Sequence, residues 1–109
     1  MNVAVHWLSV VVDTTDARRS AEFYRRLLDL RYRVGDEPPP VGEPDPAGAD
    51  WLMLEQPDGG VRIGFQQVAT LARSTWPDAA VPQQLHLDFE VPVGQLADAR
   101  AKASWLPGT

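Results

Sequence analysis

His86, Asp88 and Glu90 alternate with Leu85, Leu87, Phe89 and Val91, so an extended chain sets an imidazole and two carboxylates in one row and apolar groups in the other. Such a row ligates a metal, lines a polar pocket or sits at a subunit interface. Metal ligation needs more donors, and with no cysteine in the chain they must be histidine, carboxylate or amide. Two further rows have the matching period. Ser9, Val11 and Asp13 share one side of the opening apolar run, and Arg62, Gly64 and Gln66 share one side of Val61–Gln66. If the three rows line one concave face, Arg62 pairs with Asp88 or Glu90 and Gln66 hydrogen-bonds a ligand. Trp76 stands in the irregular stretch before the His86 row, where a loop aromatic acts as a lid over a planar or apolar ligand. The competing reading is a solvated sheet face, with Trp76 covering a sheet edge.

The elements that position these rows follow from local pattern. Val3 to Val12 is dense in β-branched and apolar residues and reads as a strand. Asp13 to Asp16 supplies N-cap candidates for an amphipathic helix over residues 16–28, with Ala17, Ala21, Tyr24, Leu27 and Leu28 at helical spacing. Leu30, Tyr32 and Val34 alternate with Arg31 and Arg33 as a half-buried strand. Residues 36–49 are proline-rich and aperiodic, which makes them a surface loop. Trp51–Glu55 and Val61–Gln66 flank Pro57-Asp58-Gly59-Gly60, where glycine permits positive φ, and form a hairpin. Residues 68–83 are irregular. Leu85–Val91 is then a strand, and Val93, Leu96, Ala97, Ala101, Ala103 and Leu106 mark a helix ended by Pro107-Gly108. Of the four tryptophans, Trp51 at the start of a hairpin strand is assigned to packing.

Composition sets the outer limits. A chain of 109 residues, 44% hydrophobic and 23% charged, makes one globular domain. A net charge of −5 argues against nucleic acid and against anionic membranes as partners. The apolar opening has no basic flank or cleavage pattern and is too short to span a bilayer, so the expected location is cytoplasmic.

Read in order, the elements give βαβββ over residues 1–67, a connecting loop over 68–83, and a restart, βα, over 84–109. The stretches LSVVVDTTDARRSAEFYRRLLDL, WLMLEQPDGGVRIGFQQV and TWPDAAVPQQLHLDFEV resemble the glyoxalase/bleomycin-resistance/extradiol-dioxygenase superfamily, the vicinal oxygen chelate proteins. Within it, the chain is most similar to glyoxalase-like domains of the actinobacterial type. The resemblance implies an α+β fold, a mixed curled sheet with helices on its outer face, built from one complete module and a second that is C-terminally shortened. An open sheet edge of this kind favours a homodimer.

Metal-dependent members of that superfamily hold one divalent ion with a histidine on the first strand, a carboxylate on the fourth, a histidine opening the second module and a carboxylate on its last strand. The resemblance puts Ser9 at the first of these positions, Gly64 or Gln66 at the second and His86 at the third, while the fourth falls beyond Thr109. His6 lies three residues before Ser9, on the opposite side of an extended strand. Only His86 matches. The expectation is therefore a domain that binds a small organic ligand through Ser9, Arg62, Gln66, Trp76, His86, Asp88 and Glu90, with no cofactor and no complete divalent-metal site. One alternative is a metal-dependent lyase, isomerase or dioxygenase whose site, including His86, is completed across a dimer. The others are an antibiotic-sequestering resistance protein and an inactive subunit. Fold alone does not choose among them.

Overall fold

The computed structural model describes residues 3–105, the Trp105 side chain excepted. In chain order its elements are β1 (Val10–Thr14), α1 (Ala17–Leu28), β2 (Arg31–Tyr32), β3 (Trp51–Glu55), β4 (Arg62–Gln67) and α2 (Leu96–Trp105). The expectations for Leu106, Pro107 and Gly108 lie outside the described residues. The fold is α+β, with a mixed four-stranded sheet in the order β1-β4-β3-β2. β1 runs parallel to β4, while β3 is antiparallel to both β4 and β2. This is the ladder that a βαβββ module makes when α1 carries the chain from the β1 edge across the sheet.

Local chemistry starts and stops α1. The Asp16 carboxylate accepts the Arg19 N–H at 3.1 Å, satisfying a donor of the first turn, and the last turn closes on Asp29 at φ 52°, a left-handed conformation that aspartate tolerates. Ala17 and Ala21, one turn apart and fully buried, let α1 lie close to the sheet, mainly over β3 and β4. Beneath it Leu52, Leu54, Ile63 and Phe65 form the core with Leu30 and Tyr32, and Tyr24 stacks on Phe65 at 5.5 Å between ring centroids. The β3–β4 turn is closed by Gln56 N–H to Val61 O at 2.9 Å, with Gly59 at φ 77° as the turn requires.

The proline-rich loop has no ladder but is pinned. Arg18 on α1 donates from Nε and Nη2 to the two Asp45 carboxylate oxygens at 2.8 and 2.9 Å, and from Nη1 to the Asp36 carbonyl at 2.6 Å. Its guanidinium also stacks over the Tyr32 ring. The buried Asp36 carboxylate accepts the Met53 N–H at 2.9 Å and an ion pair from Arg33 at 3.1 Å, which fastens the start of the loop to β3.

Three expectations about elements are corrected. The first strand begins at Val10 instead of Val3, because residues 3–9 have no ladder partner among the described residues, and Val5 and Trp7 stand 91% and 78% exposed. The strand expected over Leu85–Val91 does not form. A strand needs a neighbour for its backbone groups, and among the described residues this segment has none, although Leu87 packs on the core and Phe89 lies 6.2 Å from Tyr24. The second helix starts at Leu96 instead of Val93, after a turn in which Gln95 N–H reaches the Pro92 carbonyl and Gly94 takes φ 86°.

Helix α2 is solvated along most of its length, with Leu96 55% exposed, and Lys102 Nζ ties it to the Leu27 carbonyl at 3.1 Å. Accordingly the radius of gyration is 15.9 Å, against about 13 Å for a compact domain of this length. No helix among the described residues is long and apolar enough to cross a membrane.

Candidate functional site

The sheet face away from α1 carries the rows that the sequence pattern anticipated for β1 and β4. Register pairs Val11 with Gly64 and Asp13 with Gln66, and continues onto β3 as Gly64 with Met53, Gln66 with Trp51 and Arg62 with Glu55. Trp51, assigned to packing, does pack, but on this face and not in the core beneath α1. A Cβ on Gly64 would stand 3.0 Å from Val11, a tight approach, and 3.5 Å from the indole, an ordinary contact, so a side chain larger than methyl there would crowd both. The Arg33 guanidinium sits 4.6 Å from the indole centroid on the same face. The Arg62 guanidinium does not pair with Asp88 or Glu90. It shares Glu55 with Arg31, each at 3.6 Å, because the hairpin register puts Glu55 opposite Arg62 and β2 puts Arg31 opposite Glu55.

Asp88 and Glu90 come together with Arg62 elsewhere, around a hollow of about 560 Å³ at the leading ends of β1 and β4. Val10, Leu28, Leu30 and Ile63 line it from the α1 side of the sheet, and Leu87, Asp88, Phe89 and Glu90 of the 85–91 segment also border it. The 85–91 segment has no strand neighbour among the described residues, so the charged row predicted for 86–90 does not lie on the open sheet face. Trp7, ahead of β1, and Arg62, at the start of β4, also contribute to the lining.

The remaining predicted residues are scattered. His86 stands outside the hollow, with Nε2 3.6 Å from Asp88 Oδ1 and the two side chains 63% and 88% exposed. Ser9 is half-buried just ahead of β1, and Gln66 is exposed on the open face. Trp76 is 68% exposed in the connecting loop and does not line the hollow. The glutamine with a structural task is instead Gln67, whose Oε1 accepts the Ala17 N–H at 2.8 Å and whose Nε2 donates to the Thr15 carbonyl at 2.6 Å, joining the end of β4 to the start of α1. The apolar lining was missed as a site because Val10, Leu28 and Ile63 carry the same periodicity as core residues.

A second, shallower depression of about 420 Å³ is lined by Glu22, Arg25, Arg31 and Tyr32. Burial pushes the Glu22 carboxyl up, but hydrogen bonds from Arg25 and Tyr32 outweigh it and the net shift is downward. Burial raises the Tyr32 hydroxyl. Glu22 is thus held ionised and fully engaged, a strut between α1 and β2 and not a group free to move protons.

Among the described residues no three His, Asp or Glu side chains converge, and His86 with Asp88 is a solvated pair. The lining of the hollow is mainly apolar, with Val10, Leu28, Leu30, Ile63, Leu87 and Phe89 beside Arg62, Asp88 and Glu90.

A family model described as a glyoxalase-like domain matches residues 9–106. No curated protein and no solved structure matches the chain.

Proposed function

The chain belongs to the glyoxalase-like domain family, and from that premise we propose that it binds a small organic molecule in the hollow between residues 87–90 and the leading ends of β1 and β4. The observation that carries this reading is the hollow itself: about 560 Å³ and mainly apolar in its lining, with Arg62, Asp88 and Glu90 among the residues that border it. The volume is within the usual range of small-molecule sites. Binding proceeds without a metal ion held by this chain alone, since His86 has one carboxylate neighbour and no third donor among the described residues.

The protein acts as a homodimer. Val3, Val5, Trp7 and Leu8 before β1 and Leu85, Phe89 and Val91 before α2 are exposed apolar residues, and β1 is an edge strand. Exposed apolar segments beside an open edge are what a second copy covers.

A thermal-shift screen with a fragment set of amines, carboxylic acids and zwitterions tests the binding reading, run on the wild type and on Leu87→Asp. Leu87 is half-buried against the core and lines the hollow. Hits that raise the melting temperature of the wild type and have no effect on a folded Leu87→Asp variant are expected. Hits of equal size in both proteins contradict the location. Sedimentation velocity reads the dimer, and a monomer at tens of micromolar contradicts it. Retention of a stoichiometric divalent metal after desalting, lost in His86→Ala, would replace this reading with the metal-dependent one.

A further inference from the structure

We propose that two copies of the chain join by exchanging the arm before β1: residues 4–8 of each copy lie antiparallel along the open edge of β1 in the other, about a twofold axis at Ser9. This rests on the homodimer reading above and specifies its contact. The arm Val3-Ala4-Val5-His6-Trp7-Leu8 contains no glycine or proline and is rich in strand-forming residues. Among the described residues it nevertheless has no ladder partner and no backbone hydrogen bond. In the sheet, β1 is bonded along one side only, to β4, so the backbone groups of its other side have no strand to pair with. Each copy thus holds a strand without an edge and an edge without a strand.

Symmetry and length fix how the two meet. Antiparallel strands related by a twofold axis set one residue opposite its own copy. With Ser9 on the axis, Leu8 faces Val10, Trp7 faces Val11, His6 faces Val12, Val5 faces Asp13 and Ala4 faces Thr14, so the arm covers all five residues of β1. No two charges meet in this register, because His6 and Asp13 each stand opposite valine. The apolar area is also sufficient. Val3, Val5, Trp7 and Leu8 are exposed, as are Leu85 and Phe89 in the segment that borders the same hollow as Trp7 and Val10. At those exposures the six present roughly 800 Å², about what each partner contributes to a stable interface of standard size.

The chain has no cysteine, so Ser9→Cys supplies a single thiol, and Asp13→Cys, on exposed β1, is its control. Opposed residues of an antiparallel pair stand about 4.5–5.5 Å apart between Cα atoms, within reach of a disulfide, whereas the two copies of residue 13 are about 27 Å apart along the strands. Incubated with glutathione disulfide, Ser9→Cys is expected to form a covalent dimer at least about tenfold faster than Asp13→Cys. His6→Pro removes a ladder donor from the arm without breaking a backbone hydrogen bond of its own chain, and should sediment as a folded monomer at concentrations where the wild type is a dimer. If wild type and His6→Pro are both dimers and Ser9→Cys links no faster than Asp13→Cys, the arm exchange is overturned while the homodimer stands. If the wild type is a monomer at tens of micromolar, both readings fall. Hydrogen exchange of the Val10–Thr14 amides that is equally slow in wild type and His6→Pro would put a segment of the same chain on that edge and also overturns the exchange.

Discussion

Replacing Arg18 by alanine should detach the proline-rich loop from α1 and lower stability by about 2–3 kcal/mol, the range for breaking a partly buried, charge-assisted pair from one side. The magnitude follows from geometry. The two partners are 17% and 27% exposed, so solvent screens them only in part, and the contact is a two-point fork at 2.8 and 2.9 Å reinforced by the Asp36 carbonyl at 2.6 Å. Removing the guanidinium also leaves Asp45 with the Gly48 N–H as its remaining donor. The loss should depend on pH. The hydrogen bond from Arg18 lowers the Asp45 carboxyl below its ordinary range, burial opposes this, and the Gly48 N–H adds to it. A carboxyl whose folded value is depressed stabilises the fold fully above its unfolded value, near pH 4, and that contribution is lost as pH falls through the folded value. Urea unfolding of wild type and Arg18→Ala between pH 7 and pH 3 should therefore show a gap that is largest at neutral pH and narrows in acid. A gap absent at pH 7, or one that widens on acidification, would refute the reasoning.

Two further substitutions probe how the sheet is built. Gly64→Val should displace the Trp51 indole from the open face and cost about 1–3 kcal/mol, the usual range for overpacking, since even a Cβ there stands 3.0 Å from Val11; a red-shifted Trp51 emission with a lower melting temperature is the expected record, and an unchanged spectrum contradicts it. Gln67→Ala should cost about 1–2 kcal/mol by leaving the Ala17 N–H and the Thr15 carbonyl without their side-chain partner, measured by chemical denaturation, whereas Gln66→Ala on the exposed face should fall within about 0.5 kcal/mol of wild type.

What was legible in the sequence was what neighbouring residues decide among themselves. The Asp16 cap, the helical spacing from Ala17 to Leu28 and the glycines of the 57–60 turn each act within a few positions, and α1 and the β3–β4 hairpin form where those signals stand. The hairpin register was also sufficient to pair Glu55 with Arg62, because both flank the same turn; the alternation rule alone, applied strand by strand, sent Arg62 to Asp88 or Glu90 instead. The anchoring of the proline-rich loop was not legible, since Arg18 and Asp45 are 27 residues apart and nothing in the loop's composition names its partner. Leu85–Val91 has the period of a strand, but period describes a side-chain pattern and not the presence of a neighbour to bond. Without that neighbour the segment folds against the core through Leu87 and makes a wall of the hollow. Hence Asp88 and Glu90 border the hollow with Arg62, while Ser9, Gln66, Trp76 and His86 are not among its lining residues.

The direct test of the account is a map of amide shifts on adding a fragment that stabilises the protein. The account predicts that Val10, Ile63, Leu87 and Phe89, which line the hollow, move together and saturate with one dissociation constant, while Val11, Trp51 and Gln66 on the opposite face of the sheet stay in place. Shifts centred on Val11, Trp51 and Gln66, with the hollow residues unmoved, would put the ligand on the open face and contradict it.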